Sequence, residues 1–392
     1  MKKPAAFDKP MYITKTRLPT LEAMAPYLEK IWEDGRLTNG GPFHQELEQA
    51  LSSFLRVPHL SLFVNGTLAL QLACASLRLS GEVITTPFTF AATSHALFWN
   101  NITPVFCDIE PEYLTLDPSH IESLITPRTT AILPVHVFGN ACDVEDIQDV
   151  ADRYGLNVIY DAAHAFGVTY KGKPIGTFGD ISMFSFHATK LFHTIEGGAL
   201  TYRDEDLGER LNMLRNFGIK DEETIPLPGT NAKMNELQAV VGLLVLDLVN
   251  DEIQRRKHVT SLYHQLLADM QGITCLGIRE EAGYNYPYLM LLVDERHCRI
   301  SRDTLYKSLK DFNIFARRYH FPLCSDFPCY HSLPSAAPGK LPVAEKAAQQ
   351  VLCLPLFSGL KDEDVLRICD VVKYIYSLEQ REIAQSGVEV AL

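Results

Sequence analysis

Two side chains in this sequence have the type and position that covalent catalysis requires. Lys190 follows the apolar run 181–186, five residues after Ser185. A lysine withdrawn from water has a lowered pKa, so its neutral amine can act as a Schiff-base nucleophile. Asp161 ends a second apolar run, 157–161, where a carboxylate needs a partner. The protonated ring nitrogen of pyridoxal phosphate is one such partner, and capping of the next helix is the other interpretation.

A third candidate is the turn Asn-Gly-Thr at 65–67, which separates an apolar run at 60–64 from helical periodicity at 68–79. Small residues at the start of a helix leave backbone N–H groups free to bind a phosphate. An ordinary strand-to-helix turn has the same appearance. The hydroxyl group of Ser185 is a further candidate ligand for that phosphate.

Strands and helices alternate through the first 250 residues, and these elements must position the candidates. Predicted strands cover residues 60–64, 82–85, 103–108, 130–137, 157–161 and 181–186. Predicted helices cover residues 68–79, 91–99 and 144–154. The alternation is typical of a mostly parallel α/β sheet, and such sheets bind ligands at the carboxyl ends of their strands. Asn65, Asp161 and Ser185 all fall at such ends.

The pattern changes after residue 250. The later segments are a predicted helix at 251–270, strands at 286–293 and 314–316, a proline-rich loop at 321–342 and a final helix at 362–376. We therefore predict two domains, a large domain of residues 1–250 and a small α+β domain of residues 251–392. Segment 235–249 is apolar on one face, which suits a subunit-interface helix and a core helix equally well.

Composition excludes several classes of protein. The chain has 36 Lys and Arg against 48 Asp and Glu, a net charge of −12 without a basic block, which disfavours nucleic-acid or membrane-surface binding. Its nine cysteines include no CxxC pair, and no secretion signal is apparent, so we expect reduced thiols and a cytoplasmic location. The longest apolar stretch, 239–246, is much shorter than the ~20 residues that span a bilayer. No HExxH motif occurs, and we expect no metal site.

The order of these features resembles pyridoxal-phosphate enzymes of the aspartate-aminotransferase fold. The longer motifs are similar to those of the DegT/DnrJ/EryC1/StrS family of nucleotide-sugar aminotransferases. They are LTNGGPFHQELE, TPFTFAAT, DAAHAFG, YKGKPIGTFGD, FSFHATK, EGGAL, LRNFG, GTNAKMNELQA, YHFPL and LCLPLFSGL. The resemblance runs nearly from end to end, and it implies a fold-type-I large domain with a mostly parallel seven-stranded sheet.

The resemblance also implies roles for individual residues around pyridoxal phosphate. Lys190 matches the lysine that bonds covalently to the cofactor and moves the proton during transfer. Asp161 matches the acid that keeps the pyridine nitrogen protonated, and His164 matches a contact to the phenolic oxygen. Phe90 matches the aromatic residue that stacks on the cofactor ring.

The phosphate of the cofactor has its own set of implied ligands. Gly66 and Thr67 match the phosphate-binding turn, with Ser185 beside them. Asn231 matches an asparagine that reaches the phosphate from the partner subunit. The resemblance therefore implies a homodimer with shared active sites.

The family transfers an amino group from L-glutamate to a keto sugar carried on a nucleotide. HATK and LTNGGP are similar to the branch that acts at C4, so the expected substrate is dTDP-4-keto-6-deoxy-D-glucose and the expected product dTDP-4-amino-4,6-dideoxy-D-glucose. Candidate substrate contacts are Thr38, Asn39, His187 and His320. Candidate contacts to the diphosphate are Arg317, Arg318 and Lys220.

Alternatives stay open at the level of sequence. Within the family they are amination at C3 or a different nucleotide-linked sugar. Outside it they are a cofactor-binding regulator without catalysis, and a non-pyridoxal enzyme that uses Asp161 and His164 as an acid–base pair. A minority branch has histidine in place of the lysine and carries out dehydration, and Lys190 argues against that branch. The sequence leaves the downstream product open among O-antigen, another glycan and an antibiotic.

Overall fold

The computed structural model describes residues 2–386 of the chain. Its strands, β1 to β15 in chain order, are Met11–Tyr12, His59–Phe63, Glu82–Thr85, Thr103–Phe106, Thr129–Leu133, Asn157–Asp161, Thr169–Tyr170, Lys173–Pro174, Ile181–Ser185, Gly198–Tyr202, Ile273–Cys275, Ala282–Gly283, Leu289–Val293, Ile314–Phe315 and Val351–Leu354. Its helices, α1 to α13, are Leu21–Asp34, Pro42–Leu55, Gly66–Ser76, Ala91–Trp99, Pro118–Ile121, Val144–Tyr154, Glu205–Leu214, Glu236–Leu246, Val249–Leu267, Glu295–Cys298, Arg302–Leu309, Pro342–Gln350 and Asp362–Ser386.

A seven-stranded sheet in the order β2-β10-β9-β6-β5-β3-β4 organises the first half of the chain. Strand β10 is antiparallel to both of its neighbours, and every other pair in the sheet is parallel. A long loop without a crossover helix joins β9 to β10, and such a loop can return only to an antiparallel strand. The predicted α/β class and mostly parallel seven-stranded sheet are therefore confirmed.

Helices cover both faces of this sheet because its strands are apolar on both sides. In β6, Val158 and Tyr160 join the core that packs against α2, α6 and α8. Ile159, between them, joins the core that packs against α3, α4 and α7. Strands buried on both faces are continuous apolar runs in sequence, which explains why runs rather than alternating residues mark them.

Prolines shorten two of the predicted strands. The strand predicted at 130–137 ends at Leu133, because Pro134 lacks the N–H group that a ladder requires. Phe138 then adopts a φ of 55°, and pairing is limited to one bridge between Val135 and Asp161. The strand predicted at 286–293 begins only at Leu289, after a second proline. The final helix continues beyond residue 376 to Ser386.

The second half of the chain packs around the antiparallel sheet β11-β13-β15. Its core includes residues of α9, α11 and α13. Helix α9, predicted at 251–270, begins at Val249, but the division into two domains at residue 250 stays a prediction. Residues 387–392 of the predicted small domain lie outside the described residues. Among the helices of residues 2–386, none combines the length and apolarity that a membrane span requires.

The N-terminal segment connects these parts of the molecule. Strand β1 pairs in parallel with β14, which belongs to the second half of the chain. Farther along, the hydroxyl group of Thr16 donates to the carbonyl oxygen of Ala188 at 2.8 Å. Ala188 lies two residues before Lys190, so the N-terminal segment contacts the loop that carries the candidate lysine.

Helix α8 is a core helix that also fixes the start of α2. Its apolar face is buried against α2, which favours the core interpretation of segment 235–249. Glu236, fully buried, accepts hydrogen bonds from the N–H groups of Phe43 at 2.8 Å and His44 at 3.1 Å. The first N–H groups of a helix have no partner within it, so this carboxylate replaces a local cap. A Cβ atom at Gly41 would lie 2.5 Å from the carboxylate, so a larger residue there would displace the side chain of Glu236.

We expect Glu236→Ala to lower the free energy of unfolding by about 3 kcal/mol, because it leaves two buried N–H groups without an acceptor. Glu236→Gln keeps the shape and one acceptor oxygen, so it should cost clearly less. Urea unfolding of the apoprotein measures both changes. Equal midpoints for Glu236→Ala and the unchanged chain would contradict this role for the carboxylate.

Candidate active site

A cavity of about 280 Å³ opens at the carboxyl ends of β2, β6 and β9. Nine of the residues predicted for the site line it: Gly66, Thr67, Phe90, Asp161, His164, Ser185, His187, Lys190 and His320. The structure does not bring Thr38, Asn39 or Asn231 to this cavity, and all three are exposed elsewhere on the surface. The parallel sheet thus gathers residues that are far apart in sequence.

Asp161 is buried at the end of β6, and two donors hold its carboxylate. The hydroxyl group of Thr93 donates to Oδ2 at 2.8 Å, and the N–H group of Ala163 donates to Oδ1 at 3.0 Å. Burial raises the pKa of Asp161, while these hydrogen bonds and the charge of Lys190 act in the opposite direction. The carboxylate is therefore aimed into the cavity and favours a cation there.

Lys190 lies on the loop 186–197 between β9 and β10. Two backbone hydrogen bonds close this loop at its base, from Phe186 to Gly197 and from Thr194 to Phe186. Burial lowers the pKa of Lys190 to about 8, and the nearby charge of Asp161 partly opposes that shift. A substantial fraction of this amine is consequently neutral near physiological pH, as a nucleophile or base requires.

The start of α3 forms a cradle for a phosphate. Asn65 caps the helix through its side chain, which accepts from the N–H group of Leu68 at 2.8 Å. The N–H groups of Gly66 and Thr67, the first two helical residues, have no partner within the helix. A Cβ atom at Gly66 would lie 3.1 Å from Cβ of Ser185, so the turn and the serine are in close contact.

His164 is held as a neutral imidazole with a defined tautomer. Its Nδ1 accepts a hydrogen bond from the N–H group of Phe138 at 3.1 Å, so the proton resides on Nε2. Burial, together with the charge of Lys190, places the pKa of His164 well below the usual range. Asn285 fixes the backbone here by donating to the carbonyl oxygen of His164 at 2.9 Å. Nε2–H remains available as a donor.

His320 is a second neutral imidazole in the cavity. It is buried, and its Nε2 has no hydrogen-bond partner among the described residues. Burial and the charge of Lys190 lower its pKa to about 3. Its ring stacks on Phe138 at 5.5 Å between centroids. A buried polar atom without a partner is costly, so this nitrogen is suited to a ligand.

These residues fit pyridoxal phosphate. Asp161 supplies the anion for a ring nitrogen, and the start of α3 supplies N–H groups for a phosphate. Phe90 is 65% exposed although it lines a cavity, which suits an aromatic side chain that a flat ring would cover. Lys190 supplies an amine of lowered pKa for the aldehyde. Within residues 2–386 no group of three His, Cys, Asp or Glu side chains is placed to hold a metal ion.

Several residues of the site were missed by reasoning from the sequence, among them Thr93, which holds Asp161 but does not line the cavity. Thr93 lies one helical turn after Phe90 in TPFTFAAT, and this spacing was the available signal that both face the same side. Glu196 lies near the end of the loop 186–197 that carries Lys190, which is called the lysine loop below. Tyr288 and Tyr319 come from the second half of the chain, and no local pattern connects them to the sheet.

A second cavity of about 260 Å³ adjoins the first and shares Tyr319 and His320 with it. Arg317 lines this second cavity, and its side chain makes no hydrogen bond or ion pair with the residues that the structure describes. The neighbouring Arg318 is bound instead to Asp303 at 3.1 Å. Of these two arginines, Arg317 is the one available to an anion.

Comparison with known proteins identifies relatives along most of the chain. Residues 21–373 match the DegT/DnrJ/EryC1/StrS aminotransferase family. The chain is 47% identical over 362 residues to a dTDP-4-amino-4,6-dideoxy-D-glucose transaminase of Escherichia coli, covering 92% of this chain and 97% of the relative. It is 44% identical over 370 residues to a transaminase of the same name from Shigella dysenteriae, covering 94% and 98%.

Solved structures agree with these relatives. DesI, crystallised in the presence of its TDP-sugar product, superposes with a TM-score of 0.92 at 36% identity, covering 98% of this chain and 97% of DesI. A sugar aminotransferase of Streptococcus pneumoniae in its PLP form superposes with a TM-score of 0.87 at 26% identity, covering 95% and 100%.

The lowered pKa of Lys190 leads to an expectation about reactivity. The neutral amine attacks an aldehyde, so its reaction with added pyridoxal phosphate should rise with pH to a midpoint near the pKa of about 8. An ordinary lysine would give a midpoint near 10.4. Stopped-flow absorbance of the apoprotein, corrected with Lys190→Ala, measures this midpoint.

Asp161→Asn is the matched variant for this measurement. It removes the negative charge that raises the pKa of Lys190, so the midpoint should move to lower pH. A midpoint above pH 10 in the unchanged chain, or a shift to higher pH in the variant, would refute the electrostatic account.

Proposed function

Because the chain belongs to the DegT/DnrJ/EryC1/StrS aminotransferase family, we propose that it transfers an amino group from L-glutamate to C4 of dTDP-4-keto-6-deoxy-D-glucose. The products are dTDP-4-amino-4,6-dideoxy-D-glucose and 2-oxoglutarate. The observation that carries the proposal is the meeting of Lys190 and Asp161 beside the phosphate cradle in one cavity. The names of the two transaminase relatives support the choice of sugar and of carbon.

Lys190 moves the protons in this reaction. Pyridoxal phosphate, when bound, supplies an aldehyde that carries the amino group and a protonated ring that withdraws electrons. The Nζ atom of Lys190 takes the proton from Cα of glutamate in the first half-reaction. In the second it returns a proton to C4 of the sugar. Asp161 keeps the ring nitrogen protonated, and Thr93 holds the carboxylate in place.

Other residues hold the cofactor without exchanging protons with the substrate. The N–H groups of Gly66 and Thr67 and the hydroxyl group of Ser185 bind the phosphate. The Nε2–H group of His164 donates to the phenolic oxygen, because Nδ1 is already occupied by a backbone donor. Phe90 packs on the face of the ring.

The sugar nucleotide approaches across the mouth of the cavity. His187 and the unpartnered Nε2 of His320 are placed to contact the sugar. Arg317 is placed to contact the diphosphate from the adjoining cavity, whereas Arg318 is already paired with Asp303. Lys220 lines neither cavity. The unpaired side chain of Arg317 therefore makes it the favoured contact to the diphosphate.

The site is completed in a homodimer. Asn231, Thr38 and Asn39 are exposed and lie outside the cavity of their own chain. Large apolar side chains are exposed nearby in sequence, among them Phe217 at 51% and Ile225 at 66%. Exposed apolar side chains of this size are suited to a contact with a second subunit. In the dimer, Asn231 reaches the partner's phosphate site, and Thr38 and Asn39 reach the partner's sugar. We place the reaction in the cytoplasm.

Incubation with L-glutamate and dTDP-4-keto-6-deoxy-D-glucose should yield one new amine, and NMR should locate it at C4. Lys190→Ala should lose essentially all transfer, because no other amine replaces Nζ, while pyridoxamine phosphate still binds. An amine at C3 would refute the assignment of the carbon. Full activity in Lys190→Ala would refute the catalytic role of the lysine.

Subunit mixing tests the shared site. Lys190→Ala and Asn231→Ala should each be nearly inactive as homodimers. After random exchange of subunits, half of the dimers are mixed and each has one intact site, so about a quarter of the original activity should return. Mixing each variant with itself is the control. No recovery after verified exchange would contradict a contribution of Asn231 from the partner subunit.

A further inference from the structure

Glu196 lines the cavity, yet it has no role in binding the cofactor or in moving the proton. It lies on the lysine loop, six residues after Lys190, and its side chain is 54% exposed at the cavity mouth. Its Oε1 is 3.5 Å from Nε2 of His187. The other ring nitrogen of His187 is 2.8 Å from the hydroxyl oxygen of Thr189. The carboxylate is therefore held near the candidate sugar contact His187.

Two hydrogen bonds and a close contact at the next residue fix the backbone at Glu196. Its carbonyl oxygen accepts hydrogen bonds from the hydroxyl group of Thr194 at 2.8 Å and from Nε2 of Gln238 at 2.6 Å. On its other side a Cβ atom at Gly197 would lie 1.9 Å from Oγ1 of Thr194, so a larger residue there would displace that hydroxyl group. The side chain of Glu196 thus leaves a rigid backbone.

The residue before Glu196 is strained. Ile195 has a φ of 68°, a left-handed conformation that β-branched side chains strongly disfavour. Its side chain is 51% exposed, so burial of isoleucine does not compensate for the strain within this chain. Strain of this kind persists where the surroundings impose it, and it clusters at functional sites. Here it sets the direction from which Glu196 enters the cavity mouth.

The charge of Glu196 indicates what kind of group it binds. The cofactor phosphate, the carboxylates of glutamate and the diphosphate of the nucleotide are all anionic, and a carboxylate at the entrance repels each of them. The hexose is the neutral part of the substrate, and its hydroxyl groups are hydrogen-bond donors. A carboxylate has only acceptor oxygens, so hydroxyl groups are its natural neutral partners.

We propose that Glu196 recognises the hexose of the sugar nucleotide, its carboxylate accepting hydrogen bonds from sugar hydroxyl groups while His187 holds its orientation. The assignment rests on the proposed function, since it requires a sugar in this cavity. It makes Glu196 a specificity residue for the sugar half-reaction, with no task in the glutamate half-reaction.

Binding of two ligands separates the hexose from the nucleotide. Isothermal titration of the enzyme in its pyridoxamine phosphate form gives the Kd of dTDP and of dTDP-glucose, which differ only in the hexose. Hydrogen bonds to a charged group contribute enough that Glu196→Gln should lower the preference for dTDP-glucose over dTDP roughly tenfold. The affinity for dTDP itself should not fall.

Asp362→Asn is the matched control. Asp362 also pairs with a histidine, His258, at 2.9 Å, and it does not line the cavity. This variant should bind both ligands as the unchanged enzyme does. Stopped-flow absorbance should also show that Glu196→Gln keeps at least the original rate with glutamate, while its KM for the keto sugar rises.

An unchanged preference for dTDP-glucose in Glu196→Gln would overturn the proposal and leave only a structural contact with His187. An equal loss of affinity for dTDP and dTDP-glucose would overturn it too, because the contact would not be with the hexose. Failure of the unchanged enzyme to aminate the keto sugar would instead refute the proposed function, and that outcome is read from product formation rather than from the binding preference.

Discussion

The buried carboxylate of Asp161 is the interaction on which the architecture of the site depends. An apolar strand delivers it to the edge of the sheet, where desolvation raises its pKa and makes an adjacent cation favourable. Thr93 and the backbone of Ala163 hold its orientation. Burial in the same cavity shifts the pKa of Lys190 in the opposite direction, because it lowers the pKa of an amine. Burial thus favours a neutral amine, whereas the hydrogen bonds from Thr93 and Ala163 favour the carboxylate that faces the cofactor ring.

The antiparallel strand β10 explains how several functional side chains come from one short segment. A crossover helix after β9 would have carried the chain away from the carboxyl edge. The loop 186–197 instead stays there, and it presents His187, Lys190 and Glu196 to one cavity. Gly198, where β10 begins, lies so close to Gly66 that a Cβ atom would come within 2.8 Å of its Cα. The end of the loop 186–197 and the turn 65–67 are therefore packed directly against each other.

Much of the large sheet and the chemical centre of the site could be predicted from sequence, for reasons that are physical. Doubly buried strands leave continuous apolar runs, and Asp161 and Ser185 are conspicuous because they end such runs. Strand β10 lacked this signal because it begins with Gly198, which close packing against Gly66 requires, rather than with an apolar side chain. The tyrosines Tyr288 and Tyr319 reach the cavity through tertiary contacts between distant segments. Thr38, Asn39 and Asn231 lie outside the cavity of a single chain, so the structure of one chain does not connect them to the site.

The pairing of β1 with β14 has a consequence for biosynthesis. A ribosome makes Met11–Tyr12 long before their partner strand, which exists only after Phe315 has been synthesised. Until then the N-terminal segment, in which Thr16 donates a hydrogen bond to Ala188, lacks the strand pairing at Met11–Tyr12. The nascent large sheet can therefore form early, whereas the loop bearing Lys190 gains this support only after Phe315 has been added. Support for the loop that carries the coenzyme lysine therefore depends on a strand that is made much later than the segment it anchors.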